Sequence, residues 1–467
     1  MAGRLIVVSN RIPTGEGGAG GLIVALHDAL AGTGGVWIGA LPDAADVPGE
    51  TLQALSEEPY SRLGYTLSQE EMENFYLGFS NSVLWPLCHR RPDLVELRLE
   101  YDASYRSVNR RVARLIAGLA DPDDTIWVHD YHFFPLAAEL RACGLHNRIG
   151  FFLHIPFPSL GDLSVLAQPE DFADWLAHYN LVGLQTQADV ARALEMFRAD
   201  PRAEFMMDGT VKFRDRITSV RSFPIGIDVE SFQRDAAAEE ERPLGREAPE
   251  TYLIGVDRLD YSKGIPNRFL AFGRYLETRP HGERPCLLQI APPSREKVQA
   301  YHDITRELEE IAGHLNGAFA ELDWTPLRYI HRNVPRHRLA RLFRGARGCL
   351  VTSYADGMNL VAKEYVAAQD PADPGVLILS RLAGAAEELS DALLVNPYDI
   401  DDIANAIEQA LSMPLPERQR RHASCLAKVK ANDAASWARA FLNVLSVVPG
   451  TLAWPGGIDQ FADGELL

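Results

Sequence analysis

The sequence predicts an α/β chain made of two doubly wound units with a cleft between them. Three observations carry this expectation. Short β-branched runs alternate with longer amphipathic stretches along the chain. The runs are apolar throughout instead of alternating, which is how parallel strands covered on both faces read. The length, 467 residues, exceeds what one hydrophobic core absorbs, since domains run to ~150 residues.

In the first half the strand candidates are Arg4–Ser9, Thr125–His129, Ile149–His154 and Val182–Gln185. In the second half they are Tyr252–Asp257, Leu287–Ala291, Arg328–His331, Gly348–Thr352 and Val376–Ser380. Val108–Leu119, Val298–Asn316 and Ile403–Leu411 carry helical spacing and read as covering helices. The seam is expected around Ser222-Phe-Pro-Ile-Gly-Ile-Asp228, followed by the acidic stretch Ala236–Arg242, with a second strand series restarting at Tyr252. This divides the chain into 1–224 and 225–467, the last helix crossing back to the first unit. The aperiodic end, Thr451–Leu467, is expected to be loosely ordered.

Lys and Arg number 46 against 64 Asp and Glu, a net charge of −18. That balance argues against a polyanion-binding surface over the whole molecule and leaves room for a local basic pocket. No apolar run reaches the ~20 residues that span a bilayer, and the start reads as a buried strand, not a leader. Five cysteines, Cys88, Cys143, Cys286, Cys349 and Cys425, are odd in number and never form C-x-x-C. A reduced, cytoplasmic chain without a zinc or redox motif is expected.

The chemistry-bearing residues follow strands. The first strand runs through Ser9-Asn-Arg11 into Gly15–Gly21 and a helix from Leu22. This loop reads either as a phosphate cradle or as a surface loop. Asp257-Arg-Leu-Asp-Tyr-Ser-Lys-Gly264 places Arg258 and Lys263 on one strand-to-helix loop, which suits a diphosphate. The alternative is an ion-paired loop built on Asp257 and Asp260. Asp356-Gly-Met-Asn-Leu-Val-Ala-Lys-Glu364 opens a helix whose amides at Asn359, Leu360 and Val361 suit an anion. There Glu364 suits ribose hydroxyls and Asp356 sugar hydroxyls. Alternatively Asp356 is a cap and Glu364 pairs with a cation.

Arg295 and Arg11 are candidates for a phosphate clamp, or for surface ion pairs. His129-Asp-Tyr-His132 and Phe152-Leu-His154 read as cleft hydrogen-bonders, with satisfied core histidines as the alternative. Two histidines three apart lack a third metal ligand. Tyr76 and Trp85 are by default core aromatics.

Together these segments resemble the trehalose-6-phosphate synthase family of retaining glycosyltransferases. The phrases VVSNRIP, FSNSVLWP, IWVHDYH, RIGFFLHIPFP, FPIGID, VDRLDYSKGIPNRFLAF, QIAPPSR, WTPL, DGMNLVAKEYVAAQDPADPGVLILS and AGAAEEL carry the resemblance from Leu5 to Pro397. It implies a GT-B-type fold of two facing Rossmann-like domains, the first binding acceptor and the second nucleotide sugar. It implies retaining transfer from UDP-glucose to glucose 6-phosphate, with no metal or other cofactor. The acceptor residues would be Arg11, Tyr76, Trp85 and Arg295, with Asp130 at the acceptor sugar. The donor residues would be Gly20, Gly21, Arg258, Lys263, Asn359, Leu360, Val361, Ala362, Lys363 and Glu364. Asp356 and His154 would hold the transferred glucose, and the backbone at Val334 would meet uracil. Asp130, His154, Arg258, Lys263 and Asp356 would be the catalytic set. A homo-oligomer, dimer or tetramer, is implied, with no nucleic-acid or membrane partner. The chain departs from the family pattern at Ala40, at Ser159–Leu163 and at Ala355. The alternatives are a transferase using another phosphorylated acceptor, such as glycerol 3-phosphate, or another nucleotide, and a non-catalytic sugar-phosphate sensor.

Overall fold

The computed structural model describes residues 3–12, 26, 27, 30, 34–56, 58–238, 251–278, 284–294 and 298–448. Gly20, Gly21, Arg295 and the end from Thr451 lie outside the described residues.

Among the described residues the strands form two sheets. The first contains β1 (Leu5–Arg11), β2 (Val36–Ala40), β3 (Gln53–Ser56), β4 (Ser61–Tyr65), β5 (Thr125–His129), β6 (Arg148–Phe152), β7 (Leu181–Leu184), β8 (Ala203–Phe205), β9 (Val211–Phe213) and β10 (Arg216–Ser222), in the order β3-β4-β2-β1-β5-β6-β7-β10-β9-β8. From β4 to β10 neighbours run parallel, and antiparallel β3, β9 and β8 finish the edges. The second contains β11 (Tyr252–Val256), β12 (Cys286–Ile290), β13 (Leu327–Ile330), β14 (Gly348–Val351), β15 (Val376–Ser380) and β16 (Leu393–Val395). All its pairs are parallel, in the order β13-β12-β11-β14-β15-β16.

Each sheet reverses its winding once, between β1 and β5 and between β11 and β14. Crevices at the carboxyl ends of strands form at such reversals. Residues just after β1, β5, β11 and β14 are therefore the ones the topology gathers.

Alternation along β1 sends Ile6 and Val8 to one face and Leu5 and Val7 to the other. The first face is covered by the helices Met72–Leu84 and Leu99–Ala117. On the other, Trp127 stacks on Phe441 of the helix Ala434–Val447 with ring centroids 4.6 Å apart. Gly150 and Gly183 admit that ring, since a Cβ on either would stand 2.7 or 2.6 Å from it. The final helix of the described chain thus rests on the first sheet, while the segment just before it adjoins the second.

Met72–Leu84 is a wide, 13-residue π-helix whose hydrogen bonds reach back five residues. Two side chains repeat that reach: Asn81 Nδ2 donates to the Tyr76 carbonyl at 2.7 Å and Ser82 Oγ to the Leu77 carbonyl at 2.8 Å. Extended π-helices are rare and often sit at functional sites.

Candidate active site

On the first-sheet side, Arg11 ends β1 exposed and donates to the Tyr76 hydroxyl at 2.9 Å, its guanidinium lying 5.5 Å from the ring centroid. Tyr76 projects from the wide helix and stacks on His132 at 5.9 Å. Trp85, at the end of the same helix, packs on Tyr131 at 5.6 Å and on His89 at 4.1 Å. Burial pushes the His89 imidazole down to about 4, so it is neutral.

Asp130 follows β5 with φ +76°, a conformation disfavoured for a residue with a Cβ. Its amide donates to the Phe152 carbonyl at 2.8 Å and its Oδ1 accepts from the His154 amide at 3.3 Å. The His154 ring is half-buried after β6, with Nε2 3.1 Å from Nδ1 of His129. Burial lowers both imidazoles, His154 to about 3, and leaves the pair uncharged. The expectation that His129 and His132 face the cleft is corrected: both are buried. His129 ends the buried strand β5 and His132 sits in the short turn after it, packed on Tyr76 and Tyr131, while His154 is half-buried.

On the second-sheet side the loop is ion-paired, but through residues outside it. Asp257 is taken by the fully buried Arg268 at 2.6 Å, which also reaches Thr352 and Gln289. Asp260 caps the turn at Ser262 and accepts the Tyr301 hydroxyl at 2.7 Å. Gly264, at φ +62°, turns the chain into the next helix. Arg258 is left exposed, and Lys263 reaches across to Asp356 at 2.5 Å. The same Asp356 oxygen accepts from Asn359 at 3.0 Å and Ser353 at 3.3 Å. Burial pushes the Asp356 carboxyl up, but the Lys263 charge and the hydrogen bonds from Lys263 and Asn359 outweigh it and hold it below its ordinary value.

Asn359, at φ +74°, caps the helix Leu360–Ala368 by accepting the Ala362 amide at 3.2 Å. The amides of Leu360 and Val361 precede the first intrahelical bond and suit an anion. Lys363 turns away from this end: its ammonium is buried on the Ile225 carbonyl at 2.8 Å and on Glu388 at 2.5 Å. Glu364, the next residue and so ~100° round the helix, is half-buried, and its desolvation raises the carboxyl to about 7 against a lowering by Arg336. Val334 lies just past the end of β13.

The two sides meet. Arg258 stands over the Trp85 ring with 5.6 Å to its centroid. A Cβ on Gly357 would lie 2.2 Å from the His154 carbonyl. Glu387 accepts the amides of Gln187 and Ala188 at 2.9 and 3.2 Å, capping a helix that covers the first sheet. Sequence reasoning passed over Gly357, Glu387 and His89. A glycine directly after a strand-end aspartate was the signal for Gly357, whereas the other two show only as tertiary contacts. Among the described residues no group of three or more His, Cys, Asp or Glu is placed to hold a metal ion, and no helix is long and apolar enough to cross a membrane.

The model of glycosyltransferase family 20 matches residues 8–447. The chain is similar to the trehalose-6-phosphate synthase of Sodalis glossinidius, 44% identical over 457 residues and covering 96% of each chain. Its fold is similar to a structure described as trehalose-6-phosphate from E. coli bound with UDP-2-fluoro glucose (TM-score 0.91, 41% identity, 96% of this chain and 100% of that one). It is also similar to a UDP-forming α,α-trehalose-phosphate synthase from Burkholderia xenovorans in complex with glucose 6-phosphate (TM-score 0.90, 42% identity, 95% of this chain and 100% of that one).

Proposed function

The chain belongs to glycosyltransferase family 20, and on that premise we propose that it transfers glucose from UDP-glucose to glucose 6-phosphate, giving α,α-trehalose 6-phosphate and UDP. One observation supports this above the others: two cationic walls face one cleft, Arg258 and Lys263 with helix-start amides on one side and the Arg11–Tyr76 pair on the other. A reaction joining a sugar diphosphate to a sugar phosphate needs both walls.

In this reading the first unit is 1–224 and takes the acceptor; the second is 225–467, its last helix returning to the first, and takes the donor. Arg11, Tyr76 and Trp85 hold the acceptor phosphate together with Arg295, whose part is drawn from the sequence resemblance alone. Asp130 holds the acceptor sugar. Arg258, Lys263 and the amides of Leu360 and Val361 neutralise the diphosphate, Glu364 accepts ribose hydroxyls, and the Val334 backbone meets the base. Asp356 keeps one oxygen on Lys263, Asn359 and Ser353 and uses the other, with His154, on the glucose hydroxyls. Lys363 serves the site through the connection at Ile225.

As the bond from glucose C1 to the diphosphate oxygen breaks, charge grows on that phosphate, and the fixed cations stabilise it where it forms. The acceptor hydroxyl attacks C1 from the same face and passes its proton to a leaving phosphate oxygen, so configuration is retained. The neutralisation assigned to Arg258 and Lys263 leaves no step that calls for a divalent ion. The reading further includes a cytoplasmic homo-oligomer, dimer or tetramer.

The test is nucleoside-diphosphate release from purified protein, with UDP-, GDP- and ADP-glucose crossed against glucose 6-phosphate and glycerol 3-phosphate. Release that requires UDP-glucose and glucose 6-phosphate together is expected. Release with another pair replaces the substrates, and silence in every pair with tight ligand binding replaces the enzyme by a sensor.

A further inference from the structure

The group that meets the transferred glucose is not chemically independent of the core behind it. His129 is wholly buried at the end of β5, and its ring is stacked on His154 with centroids 5.4 Å apart. The two rings share one hydrogen bond, Nδ1 of His129 to Nε2 of His154, at 3.1 Å. A neutral imidazole carries one N–H, so the direction of that bond decides which edge of His154 is left as a donor.

The far side of His129 settles the direction. Its Nε2 is buried with no hydrogen-bond partner among the described residues. Trp127 lies 4.6 Å from it and Trp437 6.3 Å, centroid to centroid, and both indole N–H groups also lack partners. An N–H at Nε2 would be one more orphaned donor in a cluster that already holds two. A lone pair there is the milder loss and is complementary to the indole hydrogens, because orphaned buried N–H groups are rarer than under-satisfied acceptors. With the proton on Nδ1, His129 donates to Nε2 of His154, and the proton of His154 must sit on its Nδ1.

Resting on the glucosyl-transfer reading above, we propose that His129 is a positioning residue which holds His154 in the Nδ1–H tautomer, so that His154 presents a fixed N–H donor to a hydroxyl oxygen of the transferred glucose. Burial keeps both rings neutral, so neither gains a second proton that would erase the distinction. Phe152, 4.7 Å from the His154 ring, and Trp437, 5.9 Å from it, restrict its rotation. Groups behind a ligand-contacting histidine commonly set its tautomer in this way.

The experiment has two arms. Ring ¹⁵N spectra of the histidine-labelled resting protein, with His154 assigned by its loss in His154→Asn, should place its proton on Nδ1. In His129→Phe, which keeps a ring and removes the donor, His154 should populate both tautomers. kcat/KM for UDP-glucose should then fall about tenfold while KM for glucose 6-phosphate stays. His129→Asn, which restores an N–H near the Nδ1 position, should recover most of the loss. A His154 proton on Nε2 in the parent overturns the proposal. So does a His129→Phe protein with unaltered tautomer and unaltered donor kinetics. The spectra need no turnover, so a parent that releases no UDP would sink the glucosyl-transfer reading while the tautomer was still decided.

Discussion

Arg258 and Lys263 sit on one loop but are held in different ways, and the difference sets what each does when a donor arrives. Arg258 has no carboxylate partner among the described residues and rests over Trp85, so a diphosphate gains its whole charge. Lys263 is already engaged with Asp356 and must be shared. Replacing either by alanine should lower kcat/KM for UDP-glucose by 10²–10³-fold, the usual loss for a group aimed at developing charge. Near-normal turnover in both variants would remove the diphosphate assignment.

Glu364 gives a prediction in pH. Its carboxyl is raised from an ordinary 4.5 to about 7 by burial, so folding takes up a proton between those values and stability falls as pH rises through that window. Glu364→Gln should therefore melt about 2 °C higher than the parent at pH 8 and no higher at pH 4. If the carboxylate accepts ribose hydroxyls, kcat/KM for the donor should fall below about pH 7 in the parent. In the variant it should be lower but flat. A flat parent profile would count against the ribose role.

At the level of elements, the long parallel strands were readable because a strand buried on both faces is apolar throughout. The strands that escaped include three of the same parallel kind, β2, β4 and β10, the last two broken by polar residues or glycine; the rest are of other kinds. β8, β9 and β16 have three residues each, and β3 is largely exposed at an edge with no apolar run to mark it. The wide helix escaped for another reason: its bonds reach five residues back, so its apolar spacing does not match the 3.6-residue template. Tyr76 therefore read as core although it meets Arg11 at the cleft. Lys363 and Glu364 are neighbours in sequence, and only the placed helix shows that one is buried on the Ile225 carbonyl while the other stays half-buried.

The loop from β14 into the helix Leu360–Ala368 supplies the corresponding test. Gly357 lies against the backbone of His154 and Ile155, where neither partner can yield by rotating a side chain. Gly357→Ala should lower kcat/KM by about 10²-fold, as displacements of ~1 Å do at a reacting centre. Unchanged kinetics would show that the contact does not position the site.

Over the whole chain, the site depends on a helix far from it in sequence. Phe441 is fully buried against Trp127, Gly150 and Gly183, and Trp437 on the same helix lines the ring cluster behind His154. Phe441→Ala should cost about 3–5 kcal/mol in urea unfolding and should lower donor turnover as well. An unchanged midpoint would contradict the packing described for this helix. The two-sheet plan was legible from strand composition and length, but the ring cluster joins β5 and β6 to a helix some 300 residues later, and pairing at that distance leaves no local pattern. Arg11, Arg258, Lys263 and Asp356 were legible because each follows a strand, whereas Tyr76 and Trp85 stood out only through the family resemblance, and their contacts with Arg11 and Arg258 emerged from packing.

The most direct measurement is the identity of the product formed from UDP-glucose labelled at C1 and unlabelled glucose 6-phosphate, followed by NMR alongside UDP. One UDP per disaccharide phosphate is expected, with the labelled carbon in an α linkage to C1 of the acceptor. A β linkage, a linkage to another hydroxyl, or UDP formed without disaccharide would contradict it.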